Sequence, residues 1–188
     1  MKLLLGSNSP RRNELLAQLG YSFNKVAIAC DEDFEASMNS NEVAEYLACK
    51  KSMAYPGLQK DEILITADTV VINDHHILNK PADANEAYRM LSSLSGGTHL
   101  VQTGVCIRSM EKQISFTSTT EVVVDDLSDE EILHYVEVYK PYDKAGAYGI
   151  QEWFGLALVK EIKGCFYNVV GLPTSELFKR LKNDYNVK

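Results

Sequence analysis

The spacing of apolar and polar residues along this chain predicts strands that alternate with helices. Leu3 to Leu5 form an apolar run that is typical of a short buried strand. From position 10 the apolar residues recur at helical spacing, and the two patterns alternate from there on. They predict strands at 2–6, near 22–29, 62–72, 98–108, 113–124, 156–162 and 165–170, and helices at 10–19, 41–54, 83–94, 128–138 and 174–184. This order is typical of an α/β fold.

Capping residues mark the starts of several of these helices. Ser9 followed by Pro10 predicts an N-cap and the first residue of the first helix. Two later helices begin with the spacing of a capping box, formed by Asp83 with Glu86 and by Ser128 with Glu131.

Two stretches lack a regular period. Residues 140–151 mix glycines, tyrosines and charges, and a loop of that length is expected to be functional. His75 and His76 follow Asn73-Asp74 and are predicted to lie in a solvated hairpin turn rather than to hold a metal.

Composition and charge limit the classes of partner. The 188 residues are 45% hydrophobic and 24% charged, which fits one compact domain, built as a single unit or as two small lobes. The 19 basic and 26 acidic residues give a net charge of -7, so the overall field repels nucleic acid and anionic membranes. We therefore expect neither as a partner.

The cysteines and the apolar runs predict a cytoplasmic protein. Cys30, Cys49, Cys106 and Cys165 are scattered without metal-ligand spacing, so buried reduced thiols are expected rather than zinc or a disulfide framework. The Leu3 to Leu5 run is too short for a signal sequence, and no apolar run approaches the length of a membrane span.

The start of the first helix carries two arginines where acidic residues are normally favoured. Arg11 and Arg12 follow Pro10, at the positive end of the helix dipole and beside unpaired backbone N–H groups. A phosphate would be bound there by backbone and side-chain donors together. The alternative is an ordinary capped helix with two solvated arginines.

Three charged residues interrupt apolar patterns. Asp68 lies within the apolar strand at 62–72, where a carboxylate needs hydrogen bonds, a basic partner or a metal. Lys51 follows Val43 and Leu47 at helical spacing, and Arg12 is placed likewise relative to its own helix, so both project from apolar faces. The alternatives are an aspartate satisfied by neighbouring amides and a lysine that reaches water along its stem.

An acidic turn could complete a metal site. Asp31-Glu32-Asp33 and Lys80 read by themselves as solvated surface residues. Beside Asp68, however, one of these acids would form an all-oxygen site for a hard cation such as Mg²⁺, which is typically held by one or two carboxylates and substrate phosphates. A polyphosphate is a substrate that uses all of these groups at once.

Ordered motifs along the sequence carry a family resemblance. They are Gly6-Ser7-Asn8-Ser9-Pro10-Arg11-Arg12, Thr66-Ala67-Asp68-Thr69-Val70-Val71, Lys80-Pro81, Gly97-Thr98-His99 through Thr103-Gly104-Val105, Asp143-Lys144-Ala145-Gly146-Ala147-Tyr148-Gly149-Ile150-Gln151, and Asn168-Val169-Val170-Gly171-Leu172-Pro173. Over essentially its whole length the chain resembles the Maf family of nucleoside triphosphate pyrophosphatases.

The resemblance implies a fold, an activity and a set of site residues. It implies one domain over 1–188 of the Maf/ITPase type, with two lobes around a central cleft and a central mixed, twisted sheet flanked by helices. It also implies a cytoplasmic homodimer that hydrolyses a nucleoside triphosphate with Mg²⁺ or Mn²⁺. Asp68 resembles the general base and a metal ligand, and Glu32 the second metal-side acid, a task that Asp31 or Asp33 could share. The implied substrate-binding residues are Ser7, Arg11, Arg12, Lys51, Lys80 and Gln151.

The branch of the family is indicated by two short runs. Ala67-Asp68-Thr69 and Tyr148 to Gln151 look like the branch that acts on dTTP and UTP, and a house-cleaning role against modified pyrimidine nucleotides follows from it. The alternatives are a 7-methyl-GTP pyrophosphatase and a nucleotide-binding regulator of septum formation. Glu152-Trp153-Phe154 departs from the Gly-Leu pair that usually follows Gln151.

Overall fold

A mixed sheet flanked by helices is the framework of the protein, as expected from the alternation of the sequence pattern. The structure is a computed structural model that describes residues 1–187. Within those residues seven strands form one sheet in the order β2-β1-β3-β5-β6-β7, with β4 paired to β3. The strands are β1 (Lys2–Leu5), β2 (Phe23–Lys25), β3 (Glu62–Asn73), β4 (His76–Leu78), β5 (Thr98–Arg108), β6 (Gln113–Val124) and β7 (Val159–Lys163).

The sheet is mixed because its pairings run in both directions. β1 is parallel to β2 and to β3, whereas β4 is antiparallel to β3 and β7 is antiparallel to β6. The helices are α1 (Pro10–Gln18), α2 (Ser40–Ala54), α3 (Ala84–Leu94), α4 (Asp129–Tyr139), α5 (Trp153–Ala157), α6 (Phe166–Val170) and α7 (Thr174–Tyr185), with a short 3₁₀ turn at Ala145–Ala147.

Contacts between residues divide the chain into two compact units. Unit 1 comprises Met1–Asp68, Thr103–Ser118 and the chain from Gly171 onwards, and unit 2 comprises Thr69–Gln102 and Thr119–Val170. Strands β3, β5 and β6 each contribute residues to both units.

In unit 1, close packing fixes α2 against the sheet. A side chain on Gly104 of β5 would overlap the backbone carbonyl of Ala44 in α2, so only glycine allows this approach. One helical turn later the Thr66 hydroxyl of β3 donates to the Ala48 carbonyl at 2.7 Å. These contacts hold α2 in register with β3 and thereby fix the helix position from which Lys51 projects.

In unit 2, the core is built from apolar faces of α3, α4 and the segment after the 3₁₀ turn. Leu91, Tyr135 and Phe154 are all fully buried within it. The Asn168 amide donates to the Val101 carbonyl at 2.9 Å and to the Thr120 hydroxyl at 3.0 Å, which fixes α6 to the strands. Because these bonds point the polar side chain of α6 inward, the outward Phe166 and Tyr167 are exposed.

The largest departure from the predicted elements lies at residues 165–170. They were expected to form a strand, but Phe166–Val170 is helix α6. A six-residue, mostly apolar stretch carries too little periodicity to distinguish a strand from a short helix, and the inward hydrogen bonds of Asn168 decide in favour of the helix.

Two further strands differ in extent from the expectation. The strand expected near 22–29 is confined to Phe23–Lys25, because its partner β1 ends at Leu5, which pairs with Lys25. The strand expected at 156–162 is Val159–Lys163, and the short helix α5 before it was not predicted. In α5 a side chain on Gly155 would overlap the carbonyl of Ile150, five residues earlier, a local contact that no periodicity reveals.

Most predicted caps are confirmed. Ser9 caps α1 with Pro10 as its first residue, and its side chain accepts from the N–H of Arg12. Ser128 and Glu131 form a complete capping box. Asp83 caps α3 by accepting from the N–H of Glu86, but the Glu86 carboxylate accepts from the N–H of Ala82 instead of that of Asp83.

The remaining expectations have mixed outcomes. His75 lies in the turn as expected, but His76 begins β4. All four cysteines are free, yet only Cys106 is buried and the other three are half-buried. In residues 1–187, no helix combines the length and apolar character that crossing a membrane requires.

Candidate functional site

The N-terminus of α1 forms an organised polar cluster in unit 1. The Ser9 N–H donates to the Ser7 hydroxyl at 3.2 Å, and the Arg12 guanidinium reaches the same hydroxyl through Nη1 at 3.5 Å. Arg12 Nε also donates to the Gly171 carbonyl at 2.8 Å. Hydroxyl, guanidinium and the positive end of the helix are thus held together, and this combination suits a phosphate group.

The electrostatics of Arg12 fit a site for an anion. Burial lowers the pKa of Arg12 from its ordinary value, the Asp68 carboxylate opposes this by raising it, and Arg11 lowers it further. A guanidinium stays charged despite such shifts. Two arginines therefore concentrate positive charge at the start of α1, next to the carboxylate on β3.

Lys51 joins two carboxylates in the same unit. Its Nζ donates to Asp68 Oδ1 in a short hydrogen bond and to Glu32 Oε1 at 2.8 Å. The side chain of Lys51 is 14% exposed and that of Asp68 is 11% exposed, so this pair is largely shielded from water. The prediction that Lys51 projects from the apolar side of its helix is confirmed, and the carboxylate in the strand has a basic partner.

The acidic turn separates into two ion pairs. Asp31 pairs with Lys50, which also donates to the Asp33 carbonyl at 2.9 Å. The hydrogen bond from Lys50 lowers the pKa of Asp31. Of the three acids in this turn, Glu32 is the one that shares a cation with Asp68.

The carboxylates of Glu32 and Asp68 fit a hard divalent cation. Both lie within hydrogen-bonding reach of one ammonium group, so a single cation can be contacted by both, and both supply the oxygen ligands that Mg²⁺ and Mn²⁺ accept. Among residues 1–187 no three His, Cys, Asp or Glu side chains are grouped to hold a metal. A cation held by these two acids would therefore complete its shell with water and phosphate oxygens.

The two other predicted substrate residues belong to unit 2. Lys80 is exposed two residues after the end of β4, before the buried Pro81. Gln151 is exposed in the turn between the 3₁₀ segment and α5. Their participation with the residues of unit 1 in one site stays a prediction.

A polar network around Gln151 was missed by the sequence analysis. The buried Lys144 pairs with Asp143 at 2.7 Å and with Glu152 at 3.2 Å, and the Tyr135 hydroxyl donates to the other oxygen of Glu152 at 2.5 Å. The signal in the sequence was Glu152, which stands after Gln151 where the family usually has glycine. Its partner Tyr135 is an apolar-face residue of α4, and nothing in its spacing indicates a role beyond the core.

His99 is uncharged at neutral pH and so cannot bind a phosphate as a cation. Its Nε2 lies 2.7 Å from the Tyr148 hydroxyl, and burial lowers its pKa to about 4. Burial also raises the pKa of Tyr148, so both partners are neutral and serve to fix the two segments to each other.

The polar start of α1 suits a phosphate group, and the carboxylates that Lys51 joins suit a divalent cation. The family model described as Maf-like protein matches residues 2–184. This chain belongs to the Maf family.

Curated bacterial relatives match nearly the full chain. One from Porphyromonas gingivalis is 50% identical over 186 residues, which cover 97% of this chain and 94% of the relative. One from Parabacteroides distasonis is 47% identical over 184 residues, with 97% and 95% covered. One from Phocaeicola vulgatus is 46% identical over 183 residues, with 96% and 95% covered. All three are named dTTP/UTP pyrophosphatase.

Proposed function

We propose that this chain is a nucleoside triphosphate pyrophosphatase that hydrolyses dTTP and UTP to the nucleoside monophosphate and pyrophosphate. The support is twofold. Relatives that are 46% to 50% identical over nearly the whole chain carry this name. The motif that includes Asp68 and the run that ends at Gln151 resemble the same branch.

One observation carries the proposal, namely that the largely buried Asp68 pairs with Lys51 and also acts electrostatically on Arg12. A site that only bound an anionic triphosphate would gain nothing from a buried carboxylate unless that carboxylate held a metal ion or water. A site that hydrolyses the triphosphate uses it to hold water and to accept its proton. The regulator of septum formation is therefore the less favoured alternative.

The roles follow from the chemistry of each side chain. Ser7, Arg11, Arg12 and Lys51 bind phosphate oxygens, and Lys80 and Gln151 contribute further substrate contacts, as the resemblance implies. Asp68 orients a water molecule and accepts one proton from it. The anhydride bond between the α and β phosphates breaks, the water oxygen stays on one product, and pyrophosphate leaves.

The family resemblance implies that the reaction depends on a divalent metal ion. In this chain Glu32 and Asp68 would hold it, and the cation, Mg²⁺ or Mn²⁺, would supply charge neutralisation for the phosphates. Lys51 pairs with both of these carboxylates, so with a cation in place its ammonium would be available for a phosphate oxygen.

A pyrophosphate-release assay on the purified protein tests the function. The substrates are dTTP, UTP, 7-methyl-GTP and the common purine triphosphates, each with and without Mg²⁺ or Mn²⁺. We expect the highest kcat/KM for dTTP and UTP and only mild discrimination between them, because one methyl group is worth about 10–200-fold at most. A preference for 7-methyl-GTP would support that branch instead, and release from none of the substrates would support the regulator.

The resemblance also supports a homodimer in the cytoplasm with nucleoside triphosphate as its partner and neither nucleic acid nor membrane. Light scattering of the purified chain tests the homodimer. A monomer that retains full activity would remove any catalytic role for a second subunit.

A further inference from the structure

The Tyr135 hydroxyl fixes the turn that carries Gln151. It accepts the N–H of Gly149 at 2.9 Å and donates to Glu152 Oε2 at 2.5 Å. The Glu152 N–H in turn donates to the Gly149 carbonyl at 3.0 Å, which closes the turn. Because Tyr135 is fully buried, a single hydroxyl holds both ends of this turn from inside unit 2.

Lys144 ties the same turn to the preceding segment. Its ammonium lies 3.2 Å from Glu152 Oε1, and its side chain is only 9% exposed. In the segment between Lys144 and Glu152, Gly146 and Ala147 both have positive φ. For the buried Ala147 this left-handed conformation costs free energy. Such a conformation persists only where surrounding contacts impose it, so the segment from Lys144 to Glu152 is held in one arrangement.

Gly149 brings the Gln151 amide next to the Glu152 carboxylate. A side chain on Gly149 would place its Cβ 2.8 Å from Glu152 Cδ and 3.1 Å from Gln151 Nε2. The two side chains therefore pack over the same Cα. A carboxylate attracts the N–H end of a neighbouring amide, so Glu152 favours one of the two orientations of the Gln151 carboxamide.

We propose that the network of Lys144, Glu152 and Tyr135 orients the Gln151 carboxamide and thereby sets the preference of the enzyme for uracil and thymine over cytosine. A carboxamide is neutral and offers a donor and an acceptor, which suits a base edge rather than a phosphate. Uracil and thymine present a donor at N3 and an acceptor at O4, and cytosine presents the reverse. A Gln151 carboxamide fixed in one orientation can pair with only one of these base edges. A carboxamide that can rotate pairs with either.

This inference rests on the proposed function, and a hydroxyl deletion tests it. Tyr135→Phe removes the hydroxyl that bonds Gly149 and Glu152 while it keeps the buried ring. Tyr139→Phe is the matched control, because Tyr139 lies one turn later on α4 and stacks on Tyr135 at 4.9 Å between ring centroids. The readout is the ratio of kcat/KM for UTP to kcat/KM for CTP, measured with the melting temperature of each protein.

We expect Tyr135→Phe to lower the UTP to CTP ratio about 10-fold, the effect of one misplaced polar contact, with kcat for UTP changed by less than about threefold. Tyr139→Phe should keep the ratio of the unmodified protein. In a Gln151→Ala background the further change Tyr135→Phe should leave the ratio unaltered, because the network acts through Gln151.

An unchanged ratio in Tyr135→Phe, with or without a lower melting temperature, would assign the network to stability alone and overturn the inference. The same holds if the ratio falls equally in the Gln151→Ala background. Should Tyr135→Phe fail to fold, Glu152→Gln keeps the side-chain shape, removes the charge and should give the same loss of ratio. A native protein that releases no pyrophosphate from UTP overturns the proposed function as well, whereas an active native protein with unchanged ratios in the variants overturns only this inference.

Discussion

Each unit contains a shielded lysine that joins two carboxylates, but the charges around the two lysines differ. In unit 1, Lys51 holds Asp68 and Glu32, and Arg12 lies close enough to Asp68 to act on it electrostatically. In unit 2, Lys144 holds Asp143 and Glu152, and a neutral tyrosine hydroxyl supplies the next contact to Glu152. Several cations act on the acids of the first group, whereas in the second group Lys144 pairs with both acids.

This difference separates a group suited to an anionic ligand from a group that satisfies itself. The cations near Lys51 repel one another. Binding of a phosphate would relieve this repulsion and so stabilise the folded protein. The group around Lys144 is closed by a tyrosine hydroxyl and a backbone N–H, so its hydrogen bonds are internal to the fold. The same side-chain chemistry therefore suits ligand binding in one unit, as proposed above, and rigidity in the other.

Removal of the charge on Asp68 should have the largest effect. Asp68→Asn keeps the shape of the side chain but cannot accept a proton from water, so we expect kcat to fall about 10²–10⁴-fold while nucleotide binding persists. Pyrophosphate release and equilibrium binding of dTTP measure the two properties separately. Glu45→Gln serves as the control, because Glu45 accepts from Ser115 and Thr117, away from the cluster. Near-normal release by Asp68→Asn would refute the role of Asp68 as general base.

Lys51→Met tests whether the group around Lys51 is retained for a ligand. We expect kcat/KM for dTTP to fall roughly 10- to 100-fold, the value of a charge-assisted hydrogen bond. Without nucleotide the melting temperature should stay the same or rise, because Arg12 still acts on Asp68 and one repelling cation is gone.

The control for this prediction is Lys50→Met, which removes the neighbouring ammonium that pairs with Asp31. It should leave both activity and melting temperature close to those of the native protein, because this pair is solvent-exposed. A Lys51→Met protein that keeps its activity, or that melts markedly earlier, would show that Lys51 is structural.

Lys144→Met tests the opposite expectation for unit 2. It leaves Glu152 and Asp143 without their shared cation, and loss of one partner of a buried ion pair costs about 3–5 kcal/mol. Because Asp143 is exposed, we expect the lower end of this range, a decrease in melting temperature of roughly 6–12 °C. Thermal unfolding of Lys144→Met beside Lys51→Met measures the contrast directly. Equal melting temperatures in the two variants would remove the distinction between the groups.

The smallest expected effects are at the helix caps. Ser9→Ala on α1 and Ser128→Ala on α4 each remove a side-chain acceptor from an N-terminus, and each should cost about 1 kcal/mol, or roughly 2–4 °C in melting temperature. Only Ser9→Ala should also lower kcat/KM, because the Ser9 hydroxyl that it removes accepts from the N–H of Arg12, whose guanidinium reaches the Ser7 hydroxyl. If Ser128→Ala lost activity as well, the lower activity of Ser9→Ala would be a consequence of reduced stability and not of a role in the site.

Features that depend on neighbouring residues in the sequence were predictable. The caps at Ser9 and Ser128 and the helix that begins at Pro10 follow from local hydrogen bonds and backbone preference, which act within a few residues. Lys51 could be assigned to the apolar side of its helix, because that assignment needs only the helical repeat.

Features that depend on contacts between distant segments were not predictable. The helix at Phe166–Val170 exists because Asn168 bonds to Val101 and Thr120, which are 67 and 48 positions away in the sequence. The selection of Glu32 over Asp31 as the partner of Lys51 likewise depends on how the acidic turn meets α2.

The sequence by itself determined the α/β class, most of the helix starts and the types of side chain that phosphate chemistry needs, because these properties are local or compositional. Only the tertiary structure decided which of those side chains meet. It joined Asp68 to Glu32 through one ammonium group, and it tied the Gln151 turn to Tyr135 of α4. The physical reason is that hydrogen bonds and ion pairs of this kind act over a few ångströms in space, whereas the sequence records only distance along the chain.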